Sequence, residues 1–512
     1  MSRRSRRRDG FPFRALSTRW MLGLLVLIGA ALRSYRLNSG LWLDEYATLD
    51  MVRGVPLRTI FTFFPGESNH PLYSLLAGTS ITLFGGLGDW VIRLPAVAFG
   101  VAAIPALYLL GARIWDRREG LLAAALLAGS YHHIWFSQNA RGYTTLAFFS
   151  ILATYWLLRC LENARPKFVI GYGVSAGLGL YTHLTMVFLL AGHALASLWM
   201  LLRPASDRER RPEWRRLAGC FLLAAAIALA LYGPILPQVW AFFAAGPSDL
   251  RGVSTPAWAL REAIHSLQIG LGVGSSLGLL AGALIFGAGL WSYFHRRRAA
   301  FRILVLPAPV TVLGALLVRG TLYPRFFFFL AGMGILILVR GALVAGEFLG
   351  AKIVRRPGLE GPAARFGTGL AALLVLASLL SLPAYYRFPK QDYARAATFL
   401  DARARQGDVA ATLGGGIGPV RRHASVAYRE LTRMNELDSL RHERTVWVAY
   451  TFPLYVELTH PELLSYVERR CPVDTVFRGT VGGGDIVVRG CPRLPRPGDP
   501  GGTSTREAAD SP

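Results

Sequence analysis

The sequence predicts a mainly α-helical, polytopic membrane protein that ends in a small α/β domain, and three observations carry that prediction. Hydrophobic residues make up 53% of the 512 and charged residues only 17%, too apolar a balance for a string of soluble domains. The net charge is +25, yet Lys and Arg fall in short runs between apolar segments. That pattern speaks for membrane topology and against a nucleic-acid partner. After Tyr386 the long apolar runs stop and short alternating segments begin.

A spanning helix needs roughly 20 apolar residues, and about eleven candidates are present. They run from about Trp20–Tyr35, Val91–Leu110, Leu121–Phe136, Thr144–Leu158, Phe168–Tyr181, Thr185–Leu202, Leu217–Tyr232, Ile269–Phe294, Ile303–Val318, Phe326–Val344 and Gly367–Tyr385. Residues 1–19 form an Arg-rich N-terminus with no small-residue cleavage site after the first apolar run, which reads as an uncleaved anchor. Residues 20–386 form the membrane domain. Within it, residues 36–90 are too polar to span but carry apolar runs at Ile60–Phe64 and Leu72–Leu76, the mark of a surface loop with short interfacial helices.

The links between spans alternate in charge. The N-terminus, Arg113–Glu119, Arg159–Lys167, Arg203–Arg216, His295–Arg302 and the stretch from Arg340 through Arg355, Arg356 and Arg365 are basic. Two spans separate each from the next, so all six fall on the cytoplasmic side. The opposite face receives the 36–90 loop, Ser137–Tyr143, Tyr181–Thr185, Pro234–Gln268, Arg319–Arg325 and the C-terminal region.

Residues 387–494 read as an extracytoplasmic α/β domain. Gln391–Arg405 and Pro461–Arg469 have helical spacing, Asp408–Leu413 and Thr445–Tyr450 read as strands, and Thr475–Val481 with Asp485–Val488 as a hairpin around Gly482-Gly483-Gly484. Cys160 and Cys220 lie in or beside apolar segments, where a thiol behaves as a small hydrophobe. Cys471 and Cys491 flank the hairpin and are the pair an oxidising compartment would join; the sequence leaves open whether they do. Residues 495–512 have the Pro, Gly, Ser and Thr content of a disordered tail.

On the outward face the polar residues near span ends are few: Asp44, Glu45, Asn69, His70, Gln138, Asn139, Arg141, Tyr143, Tyr181, His183, Tyr323 and Arg325. Ionisable groups at membrane depth are costly and usually functional. Each has a plainer reading beside the functional one. Asp44 and Glu45 suit the first turn of a helix, the arginines suit snorkelling to water, and His70 and His183 suit ordinary hydrogen bonding. Taken together, paired carboxylates and two guanidinium forks fit a reaction that deprotonates an acceptor while a phosphate departs. Two carboxylates and a histidine are also the donors that Mg²⁺, Mn²⁺ or Zn²⁺ takes. A divalent cation at Asp44, Glu45 and His70 therefore stays open, and no close His/Cys spacing marks a structural zinc.

Gly40-Leu41-Trp42-Leu43-Asp44-Glu45, Asn69-His70-Pro71-Leu72-Tyr73, Arg93-Leu94-Pro95 and Ser137-Gln138-Asn139-Ala140-Arg141-Gly142-Tyr143 together resemble GT-C-type integral membrane glycosyltransferases. The likeness is to the group of the protein O-mannosyltransferases and the lipid A aminoarabinose transferase. Tyr181-Thr182-His183, Tyr323-Pro324-Arg325-Phe326 and Gln391-Asp392-Tyr393-Ala394-Arg395 are similar to later landmarks of bacterial members. The resemblance implies a polyprenyl-phosphate sugar as donor, an extracytoplasmic acceptor that is a lipid, glycan or protein hydroxyl or amine, and a bacterial inner membrane with the site facing the periplasm. Under it Asp44 is the general base and Glu45 its acidic companion. Arg141, His183 and Arg325 hold the donor phosphate, His70 lines the cavity, and Tyr143 and Tyr323 complete the substrate-binding set. Two departures bear on the acceptor: Asn69-His70-Pro71-Leu72 lacks a second proline, and the C-terminal region does not resemble a β-trefoil. The other reading of such hydropathy is a transporter or flippase for an amphipathic substrate. That class places polar groups on broken helices at mid-membrane in related halves, whereas here they lie at span ends without a visible repeat.

Overall fold

The structure, a computed structural model, describes residues 17–66, 69–85, 88–202, 213–245, 256–271, 275–317, 323–354 and 360–495. The basic stretch before Ser17, most of the 203–216 link, residues 319–322, Arg355, Arg356 and the tail from 496 lie outside them. The chain forms two compact units. One comprises residues up to Asn38 and Thr48–Tyr385; the other comprises Ser39–Ala47 and everything from Tyr386.

The first unit is helical. Among the described residues seven helices are long and apolar enough to cross a membrane: Asp89–Ile114, Tyr143–Glu162, Trp214–Phe242, Ser276–Arg296, Arg298–Leu317, Pro324–Ile353 and Ala364–Arg387. The other four expected spans are shorter or interrupted. Thr18–Ser34, Pro166–Thr182 and Met186–Leu202 are helices of 17 residues. The stretch from Leu121 breaks into Arg117–Ala128 and Tyr131–Ser137, because Ser130 leaves the helix to cap the next one, its side chain accepting from the His133 N–H. The 36–90 segment folds into three short helices, Leu43–Val52, Leu57–Thr62 and Pro71–Phe84.

Small residues let these helices approach, as packing among apolar helices requires. A Cβ on Gly289 or Gly341 would run into the facing backbone carbonyls of Ile337 and Ile285. Two arginines that the charge pattern counts or passes over turn out to be internal fasteners. Arg33 is buried with its guanidinium donating to Ser137 Oγ, Gly29 O, Ala128 O, Leu127 O and His133 Nδ1 at 2.9–3.1 Å. Arg340 pairs with Glu119 at 2.5 Å, donates to Ser292 and stacks on Trp115. Arg340 therefore joins helices inside the bundle, where it is buried.

The second unit is a five-stranded mixed sheet with helices. Its strands are β1 Val409–Leu413, β2 Arg429–Leu431, β3 Val446–Tyr450, β4 Val473–Phe477 and β5 Ile486–Cys491, in the order β2-β1-β3-β5-β4. β1 pairs in parallel with β2 and β3, while β5 runs antiparallel to β3 and β4. The β4–β5 hairpin matches the expected one with its ends displaced by a few residues. Cys471 and Cys491 are joined by a disulfide and lie in the domain core. Because β2 and β3 lie on opposite sides of β1, the chain reverses direction across the sheet there. The carboxyl ends of β1 and β3 thus form a topological switch point, the place where open α/β sheets leave a crevice.

Candidate active site

In the first unit His70, Arg141, Tyr143, His183, Tyr323 and Arg325 gather around two imidazoles. His70 precedes the helix Pro71–Phe84, whose proline at its first position fixes the entry. That helix is tied down by Tyr73 and Ser80, which donate to the carbonyls of Ile92 and Val91, and by Ser74, which donates to Asn69. His183 closes the helix Pro166–Thr182. The His70 ring lies 4.5 Å from that of His183 and 5.1 Å from that of Tyr143. Phe326 packs on His183, and the Arg325 guanidinium sits 4.4 Å from the Tyr323 ring centroid.

The backbone fixes the protons of both imidazoles. The Gly142 N–H donates to His70 Nδ1 at 3.0 Å. The Thr185 N–H donates to His183 Nδ1 at 3.1 Å. A peptide N–H can only donate, so each Nδ1 is an acceptor, and each neutral ring carries its proton on Nε2. Both rings are held neutral by burial first, and then by the charges of Arg141 and Arg325: the His70 pKa falls well below its ordinary value and that of His183 to about 3. His70 is 2% exposed, and its Nε2 has no hydrogen-bond partner among the described residues. Arg141 is buried with one Nη 3.4 Å from Thr48 Oγ1, and its Nε likewise has no partner among them. Nε2–H donors and guanidinium groups are the chemistry that an anion with several acceptor oxygens takes.

Gly142 permits this geometry. A Cβ there would lie 2.7 Å from His70 Nδ1, so any side chain would displace the imidazole that its own N–H orients. Other polar residues singled out in the sequence take supporting places. Gln138 donates to the carbonyls of Arg33 and Tyr35 and accepts from Tyr385. Tyr181 packs in an apolar cluster with Phe64, Tyr232 and Ile235.

In the second unit lie Asp44 and Glu45, in the first turn of the helix Leu43–Val52. Adjacent in sequence, they have different surroundings. Glu45 is 0% exposed; its Oε2 accepts from the Trp42 N–H at 3.3 Å and lies 3.5 Å from Lys390 Nζ. Asp44 is half-buried, and its charge helps to raise the pKa of Tyr393, which burial raises most. Leu43 donates its N–H to Gln391 Oε1 at 3.0 Å. Tyr46 bonds His423 at 2.7 Å and packs beside Tyr393 and Arg422. Lys390, Tyr46 and His423 were not singled out from the sequence. Lys390 had one available signal, its place beside the Gln391–Arg395 landmark.

Two of the three donors left open to a divalent cation have other partners. Glu45 is engaged by Lys390, His70 Nδ1 by Gly142, and among the described residues no group of three or more His, Cys, Asp or Glu is placed to hold an ion.

Residues 68–237, which contain His70, Arg141, Tyr143 and His183, match the family model described as dolichyl-phosphate-mannose-protein mannosyltransferase. No curated protein matches the chain in sequence. Among solved structures the chain is similar to ArnT from Cupriavidus metallidurans in the apo state, at 15% identity and a TM-score of 0.52, over 92% of this chain and 98% of that one. It is also similar to the Archaeoglobus fulgidus oligosaccharyltransferase tethered with an acceptor peptide containing the NVT sequon, at 14% identity and a TM-score of 0.50, over 92% and 74%. The same archaeal enzyme in complex with Zn and sulfate matches at 12% identity and 0.50, over 91% and 72%. At these identities the likeness is one of fold. The chain has the fold of the GT-C membrane glycosyltransferases, and its residues 68–237 carry the sequence pattern of the dolichyl-phosphate-mannose-protein mannosyltransferase family.

Proposed function

We propose that the protein is a glycosyltransferase of the bacterial inner membrane that moves a sugar from a polyprenyl-phosphate donor to an extracytoplasmic hydroxyl or amine. The observation that carries this reading is the buried cluster of His70, Arg141, His183 and Arg325. Two imidazoles locked as neutral Nε2–H donors and two guanidinium groups suit a phosphate ester better than a neutral or cationic ligand. The matched family's own description names a lipid-phosphate sugar as donor, and the residues of the cluster before Arg325 fall in the matched stretch.

Asp44 is the general base in this reading. It takes the proton from the acceptor O–H or N–H while that heteroatom bonds to the anomeric carbon. The bond from that carbon to the phosphate oxygen breaks, and polyprenyl phosphate leaves with the electron pair. The Arg141 and Arg325 charges and the two Nε2–H groups meet the growing charge on the leaving oxygen, stabilisation that counts most where it strengthens in the transition state. Tyr143 and Tyr323 flank the cluster with their rings.

The test is turnover. The full chain in lipid, given a polyprenyl-phosphoryl sugar and an acceptor extract, is expected to release free polyprenyl phosphate. Mass spectrometry of lipids that co-purify with it names the donor. Transport of a labelled lipid across vesicles with no cleavage of the sugar-phosphate bond would instead identify a flippase.

A further inference from the structure

The acidic pair is divided by its surroundings. Trp42 stands one residue before the helix Leu43–Val52, and its carbonyl accepts from the Glu45 and Tyr46 N–H groups at 2.9 and 3.1 Å. Glu45, third in the helix, returns its carboxylate to the Trp42 N–H, the acidic half of a capping box. The same carboxylate oxygen lies 3.5 Å from the Nζ of Lys390, which is 2% exposed. A buried carboxylate is tolerable only when paired and hydrogen-bonded, and Glu45 has both.

Gln391 holds the same turn from the next position. Its Oε1 accepts from the Leu43 N–H and lies 3.0 Å from the Tyr393 hydroxyl. Its Nε2 donates to Thr451 Oγ1 at 3.2 Å and to Gly484 O at 3.3 Å. The amide nitrogen can only donate and its oxygen only accept, so these contacts fix the orientation of the side chain. Thr451 follows β3, and Gly416, whose carbonyl lies 2.7 Å from the Tyr393 hydroxyl, lies in the short 3-10 helix after β1. The switch-point crevice of the sheet is therefore filled from within the chain, by Gln391 and Tyr393, and through them it grips the turn that bears Asp44.

We propose that Lys390 and Gln391 are positioning residues: Glu45 is their anchor, and Asp44 alone is presented to the acceptor. This rests on the reading of Asp44 as base. The C-terminal domain then acts as a clamp on the catalytic turn. Among the described residues, Tyr46, Tyr393, Arg422 and His423 are also charged or titratable groups beside this turn.

The experiment uses the full chain in lipid, with steady-state turnover of a polyprenyl-phosphoryl sugar measured against pH. Lys390→Met is expected to lower kcat by about 10²-fold with donor KM little changed, as misplacement of a reacting group does. It is also expected to move the acidic limb of kcat/KM up by about 1 pH unit, because an uncompensated carboxylate then adjoins the base. Lys390→Arg restores both, and the double variant Lys390→Met with Glu45→Gln returns the limb to its original place. Gln391→Leu lowers kcat without moving the limb. The proposal is overturned if Lys390→Met leaves kcat and the limb unchanged while Asp44→Asn is inactive, or if the double variant keeps the displaced limb. Full activity in Asp44→Asn would overturn the base reading itself, whatever Lys390 does.

Discussion

The imidazole–guanidinium cluster of the first unit and the acidic turn of the second are built in opposite ways. The cluster draws single residues from four distant places, at 70, 141, 183 and 325; its two imidazoles pack ring against ring, and its two guanidinium charges act on both. The acidic turn takes neighbours in the sequence and separates them, leaving Asp44 half-exposed and burying Glu45 against Lys390. The difference teaches that proximity in the sequence is a poor guide to shared chemistry. Residues far apart share one electrostatic environment, while adjacent carboxylates have different surroundings.

The comparison can be broken most severely at Asp44. Asp44→Asn should lower turnover by about 10²–10⁴-fold, the usual worth of a positioned base, while donor binding to the cluster, measured with polyprenyl phosphate, stays near wild type. Equal loss of binding would show that the two regions do not divide the labour as described. Arg141→Ala or Arg325→Ala should cost about 10²–10³-fold in kcat, like the loss of one oxyanion donor. Lysine should restore only part of it, since it lacks the planar fork. If either alanine variant kept full turnover, that arginine would belong to the snorkelling class.

A smaller effect is expected at Gly142, where Gly142→Ala forces a methyl against His70. Destabilisation of about 1–3 kcal/mol by overpacking should accompany weaker binding of polyprenyl phosphate; unchanged thermal unfolding and binding would sink the account of this turn. The smallest effect is one of pH. His183 is held at about 3 in the fold and is near 6.5 when unfolded, so the unfolded chain binds the extra proton between those values. Stability from this ring is full above about 6.5 and lost as pH falls towards 3, as linkage requires. His70 acts in the same direction. The melting temperature should therefore decline on acidification from pH 6.5, and His183→Gln should flatten that decline; an identical slope in the variant would refute it.

Much of the architecture was legible because apolar length and strand alternation are local properties. Among the described residues seven of the eleven expected spans are helices long and apolar enough to cross a membrane, and the strands at 409–413, 446–450 and in the final hairpin follow from their alternation. What escaped has physical causes. The break at Gly129-Ser130 depends on a cap that a hydropathy run hides. β2 is three residues long, too short for a period to register. Arg340 reads as topology in the sequence but serves packing, since only the fold brings Glu119 and Trp115 to it.

By itself the sequence determined that the chain is a membrane-type helical protein with a terminal α/β domain, and it supplied the residue types for handling a phosphate and a proton. Hydrophobic length and charge pattern suffice for the first, and side-chain chemistry for the second. The tertiary structure decided which nitrogen of each histidine bears the proton, because only folding brings the Gly142 amide to His70. It also decided which of two adjacent carboxylates is buried, because the lysine that partners Glu45 lies 345 residues further along the chain.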